Sequence, residues 1–241
     1  MINRIIACAL AALAMASGLA RADEADIRKS VAALYGPNAK VDAVKKAGAL
    51  GLYEVQLGRD ILYSDEKGNY FIQGDIVDVK AKRNLTEVRK VKLSQIKFSD
   101  LPLDLAVKTV RGTGRRIFAT FEDPNCGYCK KLAKDMVGMT DVTMYTFLIP
   151  ILSADSGVKT KAISCAADPS KAWNDWMVKG TVPAAAACET KVDKVMALAE
   201  KLGVHGTPTI FLHNGERIPG AIPAAQLEDA LNRVAAAGKA G

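Results

Sequence analysis

Residues 121–136, FEDPNCGYCKKLAKDM, put Cys126 and Cys129 three positions apart where an apolar strand, RRIFATFED, gives way to a helix. Three residues of helix bring both side chains to one side. At the first, exposed turn the unpaired backbone N–H groups and the positive end of the helix dipole favour an anionic sulfur at Cys126, and the thiolate is the form that attacks a disulfide. Cys129 lies one turn further in, faces the helix body and can close onto the Cys126 sulfur. Such a pair opens a substrate disulfide as a mixed disulfide and then resolves it. Lys130 and Lys131 add positive potential, and Glu122 and Asp123 oppose it.

Two other uses of Cys-x-x-Cys compete. Zinc needs four ligands, but there is no second such pair and His205 and His213 are the only histidines, so a metal is not expected. A purely structural disulfide is the stronger rival. Gly206-Thr207-Pro208-Thr209, at the start of a later strand, weighs against it. Proline after glycine at a strand edge is a candidate for a cis peptide bond, which is nearly confined to X-Pro. A cis bond would turn the Thr207 backbone outward, able to pair with an extended substrate chain like an added strand. By base rate a trans proline wins; beside a Cys-x-x-Cys at a strand–helix junction, cis is the expectation.

The chain has 241 residues, 49% hydrophobic and 24% charged, an ordinary globular composition. A basic start at Arg4, an apolar run from Ile5 to Leu19 and Ala20-Arg21-Ala22 read as a cleaved secretory signal over residues 1–22. The run is shorter than the roughly 20 residues that cross a bilayer core. Cleavage removes Arg4 and Arg21, lowering the formal net charge from +7 to +5, and removes Cys8, leaving Cys126, Cys129, Cys165 and Cys188. Four cysteines in an oxidising compartment favour disulfides. Joining Cys165 to Cys188 closes a loop of about 24 residues, worth roughly 3 kcal/mol in a chain-entropy model. Lacking the spacing of reactive pairs, these two read as a staple. Lysines and arginines concentrate between Lys80 and Arg116 with few aromatics among them, a solvated face rather than a nucleic-acid surface.

The elements that must position these residues follow from periodicity. Ile27, Val31 and Leu34 share one face of a helix that stops at Gly36-Pro37. Residues 40–44, 50–57, 60–64 and 69–79 read as short strands of an antiparallel meander, the last containing the long run YFIQGDIVDV. A unit of roughly 60 residues buries little surface alone and often needs a partner chain, so dimerisation is expected. Leu85 to Lys97 reads as a mostly polar helix bridging two domains. Then come a strand, the cysteine helix, the strand VTMYTFLIP, helices near 156–167, 170–179 and 191–203, a hairpin at His213-Asn214-Gly215, and a closing helix from Pro223. That order describes a mixed sheet flanked by helices. Trp173 and Trp176 read as core or groove wall, and His205 as a solvent-facing loop residue.

Taken together, FIQGDIVDV, CGYCKKL, CAAD at 165 and LGVHGTPTIFLHNGERIPG resemble the DsbC group of periplasmic disulfide isomerases along nearly the whole chain. The resemblance implies an α+β protein: a signal over 1–22, a cystatin-like dimerisation domain over 23–80, a linker helix over 81–104, and over 105–241 a thioredoxin-like domain with a helical insertion. It implies Cys126 as nucleophile and Cys129 as resolving cysteine. Thr207, Pro208, Gly127 and Tyr128 would contact substrate, and Cys165–Cys188 would be structural. No metal or organic cofactor is implied. The implied partners are misfolded exported proteins with disulfides, a second copy of the chain and an inner-membrane reductase of the DsbD type. Chaperone activity would accompany isomerisation, a holdase or a net thiol oxidase of the DsbG type being the alternatives. The DsbG relatives carry proline where Gly127 stands. Asn125 stands where the family leads one to expect threonine, and Thr120 where thioredoxins carry a buried acid.

Overall fold

The computed structural model describes residues 24–185 and 187–237. The expected signal over 1–22, with Cys8, lies outside the described residues. Among those described, no helix is long and apolar enough to cross a membrane. The chain divides into two compact units between Ser94 and Gln95.

In the first unit, helix α1 (24–35) lays Ile27 and Val31 on a four-stranded antiparallel sheet. Its strands run in the order β1 (Ala43–Lys46), β2 (Tyr53–Leu57), β3 (Asp60–Ser64) and β4 (Phe71–Ile72). Tyr53, Val55 and Leu62 complete the core. The run YFIQGDIVDV does not form one long strand. It breaks after Ile72 and resumes as β5 (Val77–Asp78), paired with β6 (Arg83–Asn84). The cause is competition for the backbone: the Ile76 amide donates to the Thr86 hydroxyl at 2.9 Å and its carbonyl accepts from the Leu85 amide at 2.8 Å, turning the chain away from β3. Helix α2 (Leu85–Leu93) starts on Asn84, whose side chain caps the Glu87 amide. It ends four residues earlier than its periodicity suggests. The Ser94 hydroxyl and amide both donate to the Lys90 carbonyl, at 2.7 and 2.9 Å, and close the last turn.

The second unit is built on a five-stranded mixed sheet, ordered β11 (Arg217–Pro219), β10 (Thr209–Leu212), β8 (Arg116–Glu122), β9 (Val142–Leu148) and β7 (Val107–Arg111). Only β8 and β9 pair in parallel. Strand β7 was not expected; its Lys108, Thr109 and Arg111 hide a half-exposed edge strand behind polar residues. Along β8 the side chains alternate. Phe118 packs with Leu132 of α3 (Gly127–Asp135), with Met136 that caps its end and with Leu227 of α7 (Ala224–Ala237), whereas Ala119 and Phe121 pack with Val195 and Ala199 of α6 (Val192–Lys201). The helical insertion comprises α4 (Ala154–Ser164), α5 (Pro169–Asn174), continued by a π-helical turn Asp175–Lys179, and then α6.

The turn between β10 and β11 bears on the start of this unit. Gly215 sits at φ +85°, and its carbonyl accepts from the Ile96 amide at 3.1 Å. A Cβ there would collide with the Ile96 carbonyl. Gly215→Ala is therefore expected to cost about 2 kcal/mol or more, through both a strained backbone and a clash against main chain. A urea midpoint equal to that of the parent protein would refute this.

Candidate functional site

The sheet register assembles the site. Thr209 pairs with Phe121, so the loop before β10 and the turn after β8 meet at one end of the sheet. There β8 stops at Glu122, and Asp123-Pro124-Asn125 turns the chain into α3. Cys126 is the N-cap of that helix in extended backbone, so its sulfur, rather than an oxygen, receives the Cys129 amide at 3.4 Å. The Thr207–Pro208 peptide bond is cis, and the Thr207 carbonyl lies 3.4 Å from the same sulfur, accepting from the thiol. Thr209 holds this loop by donating its hydroxyl to the Gly206 carbonyl at 2.8 Å.

Burial corrects one expectation. Cys126 is only 5% exposed instead of lying open at the first turn, because the Thr207 carbonyl closes over it. Tyr128 is 71% exposed and Gly127 opens onto free space, so the approach to the sulfur runs over these two residues. Cys129 is fully buried among Ala133, Leu148, Ile163, Trp173 and Met177. Burial pushes the Cys129 thiol above its ordinary value. Both cysteines are unpaired thiols, whereas Cys165 and Cys188 form a disulfide with Cα atoms 5.7 Å apart.

Two acids do not behave as the simple opposing charges that the sequence suggests. Asp123 is wholly buried, and its carboxylate accepts four hydrogen bonds. Asn125 N–H and the Ser156 hydroxyl donate to Oδ1 at 2.7 and 2.8 Å, and Ile151 and Leu152 N–H to Oδ2 at 2.8 and 3.0 Å. It ties the cysteine turn to the segment after β9. Glu122 is 2% exposed and lies on the same strand face as Thr120, against the Cys129 thiol. Burial pushes its carboxyl up to about 8, so at neutral pH it is largely uncharged.

Trp176, expected as core or groove wall, also holds the turn. Its indole N–H donates to the Pro124 carbonyl at 2.6 Å, while the ammonium groups of Lys130 and Lys159 lie 4.1 and 4.7 Å from its ring centroid. Lys159 pairs with Asp155, which accepts from the Asn125 side chain at 2.8 Å. Asn125 is thus fastened to the start of α4. His205 faces solvent.

Residues 103–235 match the model of a thioredoxin-like domain, and residues 18–87 that of the disulfide bond isomerase protein N-terminal domain. A probable thiol:disulfide interchange protein DsbC of Bordetella pertussis is 50% identical over 191 residues, which cover 79% of this chain and 68% of the relative. The chain belongs to the DsbC family. The thiol:disulfide interchange protein DsbC of Escherichia coli K12 is 32% identical over 225 residues, covering 91% of this chain and 92% of that one. Among solved structures, a disulfide interchange protein from Neisseria gonorrhoeae superposes with a TM-score of 0.54 at 40% identity, covering 55% of this chain and 97% of that one. A DsbC-family member thus combines the family's N-terminal domain with a thioredoxin-like domain, and this one carries a buried acid beside its second cysteine.

The roles of Glu122 and Asp123 in this arrangement escape a reading by charge. The signal that finds Glu122 is the alternation of β8: Phe118 points to the core, so Thr120 and Glu122 do too. Asp123 shows a weaker signal, a carboxylate two residues before Asn125 in a turn, the spacing of an Asx turn.

Proposed function

We propose that this chain rearranges incorrect disulfides in exported proteins, in the periplasm, as a homodimer joined through residues 23–80, with the chemistry carried by residues 105–241. Cys126 is the nucleophile. Its thiolate attacks a client disulfide, forming a Cys126–client bond and releasing the client's other sulfur as a thiolate. Either a different client thiol displaces Cys126, forming a new client disulfide and leaving the client isomerised, or Cys129 displaces the client and leaves it reduced. A reductase of the DsbD type then restores the dithiol.

One observation carries this reading: the Cys126 sulfur lies between the Cys129 amide and the carbonyl of a cis-proline loop, 3.4 Å from each. The amide is a donor aimed at a sulfur that becomes negative. The loop puts backbone beside it, where an extended client segment can pair with Thr207 as an added strand while Pro208, Gly127 and Tyr128 line the approach. Exposed apolar side chains in this unit, Tyr128, Leu152, Val158 and Val182 among them, suit an unfolded client and support a chaperone contribution.

The test removes the resolving thiol. Cys129→Ser, mixed with a scrambled-disulfide client, is expected to accumulate a covalent adduct on Cys126. The adduct should run as a shifted band on a non-reducing gel and disappear with dithiothreitol. No adduct on Cys126 in that variant would defeat the proposal.

A further inference from the structure

The two lysines that follow the cysteine pair differ in their surroundings. Lys131 is paired with Asp135 on its own helix, whereas Lys130 forms no ion pair among the described residues and sets its ammonium over the Trp176 ring, 4.1 Å from the centroid. A lysine on a helix surface ordinarily samples many rotamers, but the negative face of an indole holds its ammonium. Trp176 is itself fixed to the cysteine turn, since its N–H donates to the Pro124 carbonyl at 2.6 Å. Lys130 also lies one helical turn beyond Cys126, its amide donating to the Cys126 carbonyl at 3.0 Å, so the two side chains share a face. Helix and indole together place this charge relative to the sulfur. Gly127 and Tyr128, which line the approach, stand between the two residues, so a segment crossing them brings its own side chains within reach of the ammonium.

Nearby carboxylates do not cancel the charge. Asp155 is in contact with Lys159, whose ammonium lies 4.7 Å from the same ring centroid, and it acts on Lys130 only at longer range. Asp175, next to Trp176, is held between Lys171 and Lys179. Glu122 and Asp123 are both buried, and Glu122 is largely uncharged. Lys130 and Lys159 share one ring and repel each other, and an anion arriving beside Lys130 relieves that repulsion.

We propose that Lys130, held by Trp176, is a specificity-determining residue that favours client disulfides flanked by Asp or Glu, pairing with such a carboxylate as Cys126 attacks. The proposal rests on the reading of Cys126 as the nucleophile. In that step the Cys126 thiolate forms a bond to the nearer client sulfur while the bond between the two client sulfurs breaks, its electron pair leaving on the other sulfur as a thiolate. Lys130 takes no part in these bonds. It favours the encounter with an anionic client and disfavours a cationic one, so it selects between clients.

The experiment measures the second-order rate at which the reduced protein reacts with anionic glutathione disulfide and with cationic cystamine in roughly 0.1 M salt, where charges are screened over about 10 Å. Samples are quenched in acid, and mass spectrometry counts the Cys126 adduct together with the internal disulfide that it yields. The readout is the ratio of the two rates. A change in the nucleophile itself acts on both disulfides alike and cancels. In partly screened water a unit charge at close range changes each rate by about two- to threefold, in opposite senses for the two probes. Lys130→Gln is therefore expected to lower the glutathione-to-cystamine ratio about fivefold, and the gap should close in roughly 1 M salt. Glutamine is about as good a helix former as lysine, and the position is half-exposed, so the variant folds. Lys130→Arg keeps both the charge and the contact with the indole and should keep the ratio. Lys134→Gln makes the same change in net charge about 12 Å from Cys126 along the helix axis, and should leave the ratio within about 1.5-fold of the parent. A ratio within about 1.5-fold of the parent in Lys130→Gln, or an equal fall in Lys134→Gln or Lys130→Arg, overturns the proposal and leaves the exchange reading standing. Neither adduct nor internal disulfide with both probes in the parent protein overturns that reading itself.

Discussion

In Cys126→Ala, a scrambled-disulfide substrate is expected to regain activity no faster than in glutathione buffer without protein, a loss of about 100-fold or more. The expectation rests on the division of labour between the two sulfurs. Cys129 is fully buried, and that burial holds it in its thiol form, so it cannot meet a client in place of Cys126. The loss is not one of folding. Alanine removes one weak N-cap acceptor for the Cys129 amide, a cost of about 1 kcal/mol at most, from a helix anchored in the core by Leu132 and Met136. Suppression of aggregation of a denatured client, measured by light scattering, should therefore survive in the same variant. Refolding at the parent rate would end the isomerase reading. Loss of both activities would show that the exchange and the holding of clients share the sulfur. Truncation of residues 23–80 addresses the remaining alternative, since a net oxidase activity that rises on truncation would show that dimerisation is what restrains it.

The chemistry-bearing residues were legible because they are local. A cysteine pair at i and i+3, a Gly-Thr-Pro-Thr segment and an Asn-Gly turn declare themselves within a few positions, and β10–β11 forms around His213-Asn214-Gly215. The elements that went unread depend on partners distant in sequence. Strand β7 is specified by β9, more than thirty residues later, and not by its own alternation. The run YFIQGDIVDV has strand composition throughout, yet Thr86 offers the Ile76 amide a better partner than a strand neighbour would. The end of α2 was hidden because Gln95, Ile96 and Lys97 are acceptable helix residues, and what stops the helix is the Ser94 hydroxyl taking the Lys90 carbonyl, with Ile96 claimed by Gly215. Glu122 belongs to both groups. Its face follows from strand alternation, but its meaning does not, since only the packed core shows that it meets Cys129 and not solvent.

Asp123→Ala should be the most destabilising single change near the site that spares both cysteines. The substitution leaves the backbone N–H groups of Asn125 and Leu152 without their acceptor, takes one of two acceptors from Ile151 N–H, which keeps the Ile149 carbonyl at 2.9 Å, and removes the acceptor of the Ser156 hydroxyl. Each orphaned buried donor costs about 1–3 kcal/mol. Asn125, Ile151 and Leu152 lie near the surface and recover water in part, while Ser156 is fully buried and keeps only the longer contact with the Ser153 hydroxyl at 3.1 Å. The sum is about 3–5 kcal/mol, or roughly 10 °C in the melting temperature of a unit this size. Asp123→Asn keeps the volume but turns one acceptor into an NH₂ group facing N–H donors, so it should recover less than half of that loss. Asp135→Ala, which removes an exposed helix carboxylate paired with Lys131 alone among the described residues, is the control and should stay within about 0.5 kcal/mol. A melt of Asp123→Ala within about 1 °C of the parent protein would mean that these four hydrogen bonds do not hold the turn. The consequence for chemistry is separable from stability. Well below the melting temperature, the Pro124–Asn125 turn would be held only by Trp176 and by the side chain of Asn125, so the spacing of the Cys126 sulfur from the Thr207 carbonyl would widen. Adduct formation with glutathione disulfide should then slow in Asp123→Ala while the far-ultraviolet circular dichroism remains that of the parent, which distinguishes a loosened nucleophile from an unfolded one.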